Sequence, residues 1–488
     1  MVQQTSERTA TGPRNAFFVP SLVLAGAVAG ALLVAGLGPV LSLATAAVVP
    51  VALLVLSDVK VALGLTFCAL LLLPFGTLPL DIGFVPTFVE VGILTTLVVL
   101  ALSLLANKRD AFYLGPVGVA LALFMGLMVA SFVLGLAHSR PTVTSLRRFA
   151  DMILSLAFYY VVVNALYEQR QVERAYWLLV TLGALAALIG VVLYLVPTHV
   201  AERLLNALGV IGYPRGAVLR YIEDNPELPL RAIGTSVDPN VFGGTLALLG
   251  GLLTPQLFAP RPRRVRLLLW GGMGLIFLAL LLTFSRGSML GLAFAAVAFA
   301  GVRERRLISP LVAAGALVLL LPATRQYVQH FAEGLQGQDL ATQMRFGEYK
   351  DALILISRYP AFGVGFTGVP DVDIYLGVSS VYLLVAEEMG LIGLAAFLCL
   401  FLTFLATTWP AARKARSQAP ALEPIILGTQ TAVVAGLVAG MLDHYLFNLS
   451  FPHAAALLWS IVGVGCAAAR LSRALTARQR GHNMVVFG

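Results

Sequence analysis

Apolar runs long enough to cross a bilayer recur along almost the whole chain, and that leaves few folds open. A spanning helix needs about 20 apolar residues. Such stretches lie near 18–36, 40–57, 60–75, 88–106, 114–137, 146–166, 174–196, 240–258, 265–285, 287–302, 308–322, 378–407, 424–446 and 452–470. Hydrocarbon offers no water to pair backbone N–H and C=O groups, so each span must bond its own backbone as a helix. Only 12% of the 488 residues are charged, against about 25% in a soluble domain. The expected fold is all-α: a polytopic transmembrane helix bundle of about 12–14 spans, forming one membrane domain over residues 1–488.

Charge orients the spans. Lys and Arg collect in the cytoplasmic loops of membrane proteins. With the N-terminus inside, the cytoplasmic segments hold Lys108-Arg109, Arg170 and Arg174, Arg261 to Arg266, Arg303 to Arg306, Arg413 to Arg416 and Arg470 to Arg480. Both termini are then cytoplasmic. The net charge of +9 follows from this loop bias and does not call for nucleic acid as a partner. Polar residues 1–15 followed by two apolar runs argue against a cleaved signal peptide. Cys68, Cys399 and Cys466 all sit in apolar runs, with spacing that suggests neither a metal site nor a disulfide framework.

Two long segments face outward in this arrangement, 197–239 and 324–377. Loops longer than about 15 residues are uncommon unless functional or disordered. The second holds Arg345-Phe-Gly-Glu348-Tyr349-Lys350-Asp351, then Arg358-Tyr-Pro360-Ala-Phe-Gly363-Val-Gly365. It reads as an amphipathic helix over about 343–358, then a tight turn, roofing an active site. The outward basic residues are arginines, except Lys350. A guanidinium stays charged and binds phosphate oxygens in pairs. Arg286, in Thr283-Phe-Ser285-Arg286-Gly287, and Arg345 are the leading candidates to hold a lipid-linked phosphate or pyrophosphate. Arg147, Arg148 and Arg231 are further candidates, with headgroup contact or pairing to outer acids as the alternative.

Other polar groups stand close to membrane depth. Asp238-Pro239-Asn240 either caps a helix or serves the site. Glu387 and Glu388 interrupt an apolar stretch, where a carboxylate needs a partner or acts as a base. Asp443-His444 and His453 lie at the last outer turn. Catalytic candidates are thus Arg286, Arg345, Glu387 and Asp238. Candidates for substrate contact are Arg147, Arg148, Arg231, Asn240, Ser285, Tyr349, Tyr382 and His444. No HExxH, paired CxxC, Walker loop or GxSxG is present, and Gly363-Val-Gly365 lacks the strand–turn–helix setting of a dinucleotide fingerprint. No metal site and no cofactor are expected.

Four pieces in order resemble the O-antigen ligase/polymerase superfamily of membrane glycosyltransferases. They are Arg231 to Asn240, Thr283 to Gly287, Arg345 to Gly365, and Tyr382-Leu-Leu-Val-Ala-Glu387-Glu388-Met-Gly390-Leu-Ile-Gly393. The resemblance covers roughly the C-terminal half. It implies an inverting, metal-independent enzyme of the bacterial inner membrane whose donor is an undecaprenyl-diphosphate-linked oligosaccharide. Arg286 and Arg345 would hold the leaving diphosphate. Membrane lipids, and a chain-length regulator protein, are the other partners it suggests. Ligases of the family carry a His-Asn pair before the Tyr-Leu run, as the proposed acceptor base; here Ser379-Ser380 stand there. The base then lies elsewhere, with Glu387, Asp238 and His444 as candidates, or no strong base is needed. This departure favours a surface polysaccharide polymerase over an O-antigen ligase acting on lipid A-core. A flippase of lipid-linked sugars is the alternative of another class. It would need a midplane site, whereas the charges here gather on one face.

Overall fold

The computed structural model describes residues 58–78, 83–105, 112–303, 305–309, 313, 340–368 and 378–486. The chain divides into two compact units, Met1–Val61 and Ala62–Gly488. The fold and the site below belong to the second. The expected spans 18–36 and 40–57, and most of 308–322, lie outside the described residues, as do 324–339 and 369–377 of the second outward loop.

Thirteen α-helices run through the described residues. They are α1 (Val59–Leu72), α2 (Phe88–Leu105), α3 (Gly115–Gly135), α4 (Val143–Ala165), α5 (Gln169–Leu195), α6 (Thr198–Ala207), α7 (Pro239–Gln256), α8 (Arg263–Leu282), α9 (Arg286–Arg303), α10 (Leu340–Arg358), α11 (Val381–Gln418), α12 (Glu423–Ala439) and α13 (Pro452–Val486). The fold is an all-α polytopic bundle. Six of these helices are long and apolar enough to cross a membrane: α2, α3, α5, α8, α11 and, over Pro452–Thr476, α13. The run expected at 60–75 forms a helix of only 14 residues, short of a full span. The run expected at 424–446 stops being helical at Ala439, leaving Asp443 and His444 in a turn.

The centre of the bundle is α7. Nearly all its residues are buried, as expected for a helix that is apolar on every side. It packs against α12, α8 and α9, while α13 packs against α4, α11 and α12, and α3 against α11. Lipid tails are as apolar as leucine, so close van der Waals contact and hydrogen bonds between helices do the holding. At Gly251 of α7 an added Cβ would meet the backbone of Ala432 on α12. Gln430 Nε2 of α12 donates to Thr408 Oγ1 of α11 at 2.8 Å, a contact worth about 0.6–2 kcal/mol in a membrane bundle. The outer face of α8 instead shows Leu267, Leu268 and Trp270 to the surroundings, as a lipid-facing helix should.

The segment between α5 and α7 is folded. After α6 it forms a two-stranded antiparallel sheet, β1 (Arg220–Tyr221) and β2 (Leu230–Arg231), with Arg220 opposite Arg231. Strands this short carry too little periodicity to be seen in the sequence. The helix expected over 343–358 is α10. Its Ala352 and Leu355 are buried, while Met344, Phe346 and Leu353 are exposed.

Candidate functional site

The chain leaves β2 and turns sharply before α7. Val237 has φ +62°, a conformation that costs a β-branched residue about 1–3 kcal/mol. The turn presents Asp238 as the N-cap of α7: its Oδ1 accepts from Asn240 N at 2.8 Å and Val241 N at 3.0 Å. Pro239 follows, where no backbone donor is needed. Arg231 fastens this corner to another. Its Nη2 donates to Asn240 Oδ1 at 2.7 Å, and its Nε to the Thr283 carbonyl at 2.8 Å. Ala232 N donates to the carbonyl of Leu282.

The corner so reached is the turn between α8 and α9. Thr283 Oγ1 donates to Leu280 O and accepts from Ser285 N, and Ser285 Oγ donates to Ser288 Oγ at 2.9 Å. Phe284 has φ +55°, a second strained residue at the same place. α7 comes so close that a Cβ at Gly243 would lie 2.8 Å from Ser285 Cβ. Arg286 is the first residue of α9.

Three residues of α10 face the same region. Arg345, Glu348 and Tyr349, at i, i+3 and i+4, share one side of the helix. Glu348 Oε2 accepts from Ser379 N at 2.9 Å and Ser379 Oγ at 2.7 Å. Tyr349 OH donates to the Ser379 carbonyl at 3.2 Å. These bonds hold the strand-like residues that lead into α11. The turn between α12 and α13 meets them: His444 Nδ1 lies 2.9 Å from the Val378 carbonyl, and Val381 N donates to the carbonyls of Gly440 and Asp443. Asp443 Oδ1 accepts from His444 N at 2.8 Å.

Electrostatics join these corners into one cluster. Burial draws the Arg231 pKa down; Asp238 and Asp443 pull it up, and Arg345 adds to the fall. Burial raises the carboxyl pKa of Asp443, with Asp238 adding to the rise while His444 and Arg345 oppose it. Burial likewise raises the Tyr349 phenol, against Arg345 and with Glu348 and Asp443. Arg231, Asp238, Asn240, Arg345, Tyr349 and His444, singled out separately in the sequence, thus stand together. Asp443 and Glu348 join them without having been chosen as site residues. Their signals were present: Asp443 adjoins His444, and Glu348 stands one helical turn from Arg345.

Other candidates are placed differently. Tyr382 OH donates to the Leu437 carbonyl at 2.8 Å, tying α11 to α12. Glu387 and Glu388 are buried on α11. Their carbonyls accept from Val364 N at 2.9 Å and Gly365 N at 3.0 Å. This is where α11 breaks, at Gly390 with φ +68° and ψ −175°, and Leu391 N beyond the break donates to the Pro360 carbonyl. The glycine turn after α10 therefore supplies the bonds that the broken helix lacks. Arg147 donates to Glu90 Oε1 at 2.8 Å and to the Val85 carbonyl at 2.9 Å, with Asp151 at 3.8 Å and the Phe84 ring beneath it. Arg147 and the exposed Arg148 line a cavity of about 470 Å³ together with Glu90, Asp151 and His453. Among the described residues, no group of three or more His, Cys, Asp or Glu is arranged to hold a metal ion.

Residues 271–398 match the family model Wzy_C, described as O-Antigen ligase. The match runs from α8 into α11 and takes in Ser285, Arg286, Arg345, Tyr349, Tyr382 and Glu387. Arg147, Arg148, Arg231, Asp238, Asn240 and His444 lie outside it. No curated protein matches the chain.

Proposed function

We propose that this multi-pass membrane protein is a glycosyltransferase using an undecaprenyl-diphosphate-linked glycan donor, a reading supported by the match of residues 271–398 to a family model described as O-Antigen ligase. The primary reading is a surface polysaccharide polymerase of the bacterial inner membrane, with both termini cytoplasmic and its site facing outward. The donor's polyprenyl tail stays in the bilayer while its diphosphate meets the arginines. Arg345 and Arg286 hold the leaving diphosphate, and Arg231 ties the start of α7 to the turn between α8 and α9, against which it rests. Residues 340–368 of the second outward segment roof the site, and 197–239 forms its other wall.

One observation carries this reading. Arg231 and Arg345 are drawn from distant segments into one partly buried cluster, although each repels the other. Asp238 and Asp443 offset some of that cost, and a diphosphate offsets more while accepting paired hydrogen bonds from the guanidinium groups. No covalent intermediate is needed. The acceptor hydroxyl attacks the anomeric carbon from the side opposite the diphosphate, so the configuration inverts. Positioning and stabilisation of charge on the leaving group supply the rate.

The description of the matching family model favours a second reading, ligation to lipid A-core, and one experiment separates the two. Purified protein receives a lipid-diphosphate-linked repeat unit, with and without lipid A-core acceptor, and with and without EDTA. A ladder of glycans from the donor alone is the expected result. A single step that requires the core acceptor identifies a ligase. Neither product, from folded protein and authentic donor, turns the assignment to transport. Loss of the ladder in EDTA overturns the arginine mechanism.

A further inference from the structure

We infer that His444 is the base that takes the proton from the acceptor hydroxyl, brought to the site by the turn between α12 and α13. The inference rests on the transferase reading above. In that reaction the acceptor oxygen forms a bond to the anomeric carbon while the bond from that carbon to the diphosphate oxygen breaks. The bonding pair leaves on the diphosphate, and the acceptor's proton must go to a base.

Of the carboxylates near the site, Asp238 and Glu348 are held by hydrogen bonds and Glu387 is buried. Asp238 Oδ1 caps α7 through two backbone donors. Glu387 is buried on α11, beside the break that the glycine turn closes. Glu348 Oε2 is held by the amide and hydroxyl of Ser379, and Ser379 spends its own hydroxyl proton on that bond.

His444 is arranged for proton transfer. The Val378 carbonyl can only accept, so the contact at 2.9 Å requires His444 Nδ1 to carry the proton. The neutral ring then presents Nε2 as a lone pair. No described residue bonds Nε2. Asp443 lies close enough to interact with the ring electrostatically and so stabilises the imidazolium formed when Nε2 takes the proton. The backbone is fixed as well. Asp443 Oδ1 accepts from His444 N, the Asp443 carbonyl accepts from Val381 N, and the His444 carbonyl accepts from Phe447 N and Asn448 N. His444 is bonded to Val378, and the next residue, Ser379, is held by Glu348 and Tyr349 of α10, on the side of that helix that carries Arg345.

The test uses the full-length protein in detergent or nanodiscs, with the lipid-diphosphate-linked repeat unit as donor. His444→Gln is expected to lower kcat about 100-fold or more, the usual contribution of a general base, with KM for the donor changed by less than about threefold. His444→Ala is expected to regain at least tenfold in kcat with added imidazole, a response that loss of a merely structural histidine does not give. A His444→Gln protein that keeps a third of its kcat, or that loses activity only through KM, overturns the proposal. So does a folded His444→Ala protein that imidazole leaves unchanged. A wild-type protein that makes no glycan product overturns the transferase reading, and the base assignment with it.

Discussion

Arginine 345 and arginine 231 have different work although they share a cluster. Arg231 is anchored at two points, Asn240 Oδ1 and the Thr283 carbonyl. A lysine there has no planar fork and cannot span both corners. Arg231→Lys is therefore expected to lower thermal stability as well as activity. Its partners Asn240 and Thr283 lose bonds to a charged group, each worth about 1.5–3 kcal/mol, and a thermal-shift measurement in detergent reads the loss. Arg345 is the residue proposed to contact substrate. Arg345→Ala is expected to cut turnover at least 100-fold, as loss of a preorganised charge-stabilising group does, while leaving the melting temperature within a few degrees. An Arg345→Ala protein as active as wild type removes Arg345 from the diphosphate site. The sequence named both arginines through their type and position. It could not show that one is a clasp, because that depends on a carbonyl 52 residues away.

Helix α11 shows the same limit at the scale of an element. As a hydrophobic run it reads as one continuous span, and Glu387 and Glu388 look like polar groups in search of a role. The structure breaks the helix at Gly390 and pairs the exposed carbonyls with the glycine turn of residues 360–365. Non-helical backbone at membrane depth is tolerated only where protein satisfies it. The φ and ψ of Gly390 fall in a region essentially closed to other residues, and a Cβ there would run into the Ala361 carbonyl. Gly390→Ala is expected to cost about 1–3 kcal/mol from the backbone alone, with the clash in addition. Gly347→Ala on α10 makes the comparison, since a Cβ there meets nothing within 4 Å and alanine favours a helix. Thermal unfolding should show a marked drop for the first and none for the second. Equal midpoints would mean that the break at Gly390 is not held as described.

For the whole molecule, orientation is the prediction to test. A single cysteine introduced at the exposed Glu227, in a background lacking Cys68, Cys399 and Cys466, should react with an impermeant maleimide from outside intact spheroplasts. One introduced at the exposed Arg264, at the start of α8, should react only after permeabilisation. The reverse pattern would turn the arginine cluster toward the cytoplasm and end the proposal of an outward-facing transferase.

What the sequence by itself determined is the solvent and its consequence. Runs of about 20 apolar residues with few charges place the chain in a bilayer, and a bilayer admits helices because backbone groups must bond within their own segment. The arginine-bearing pieces were legible too, since charges near membrane depth stand out against an apolar background. Only the tertiary structure decided which of them meet. Arg231 and Asn240 are near in sequence, but Arg345 comes from α10 and His444 from the turn after α12, more than 100 residues further on than Arg231. Their meeting depends on a centre of small residues that lets α7 and α12 approach closely, and on turns closed by backbone hydrogen bonds. Neither leaves a periodic trace, because a close approach is a property of two surfaces and a residue pattern describes one.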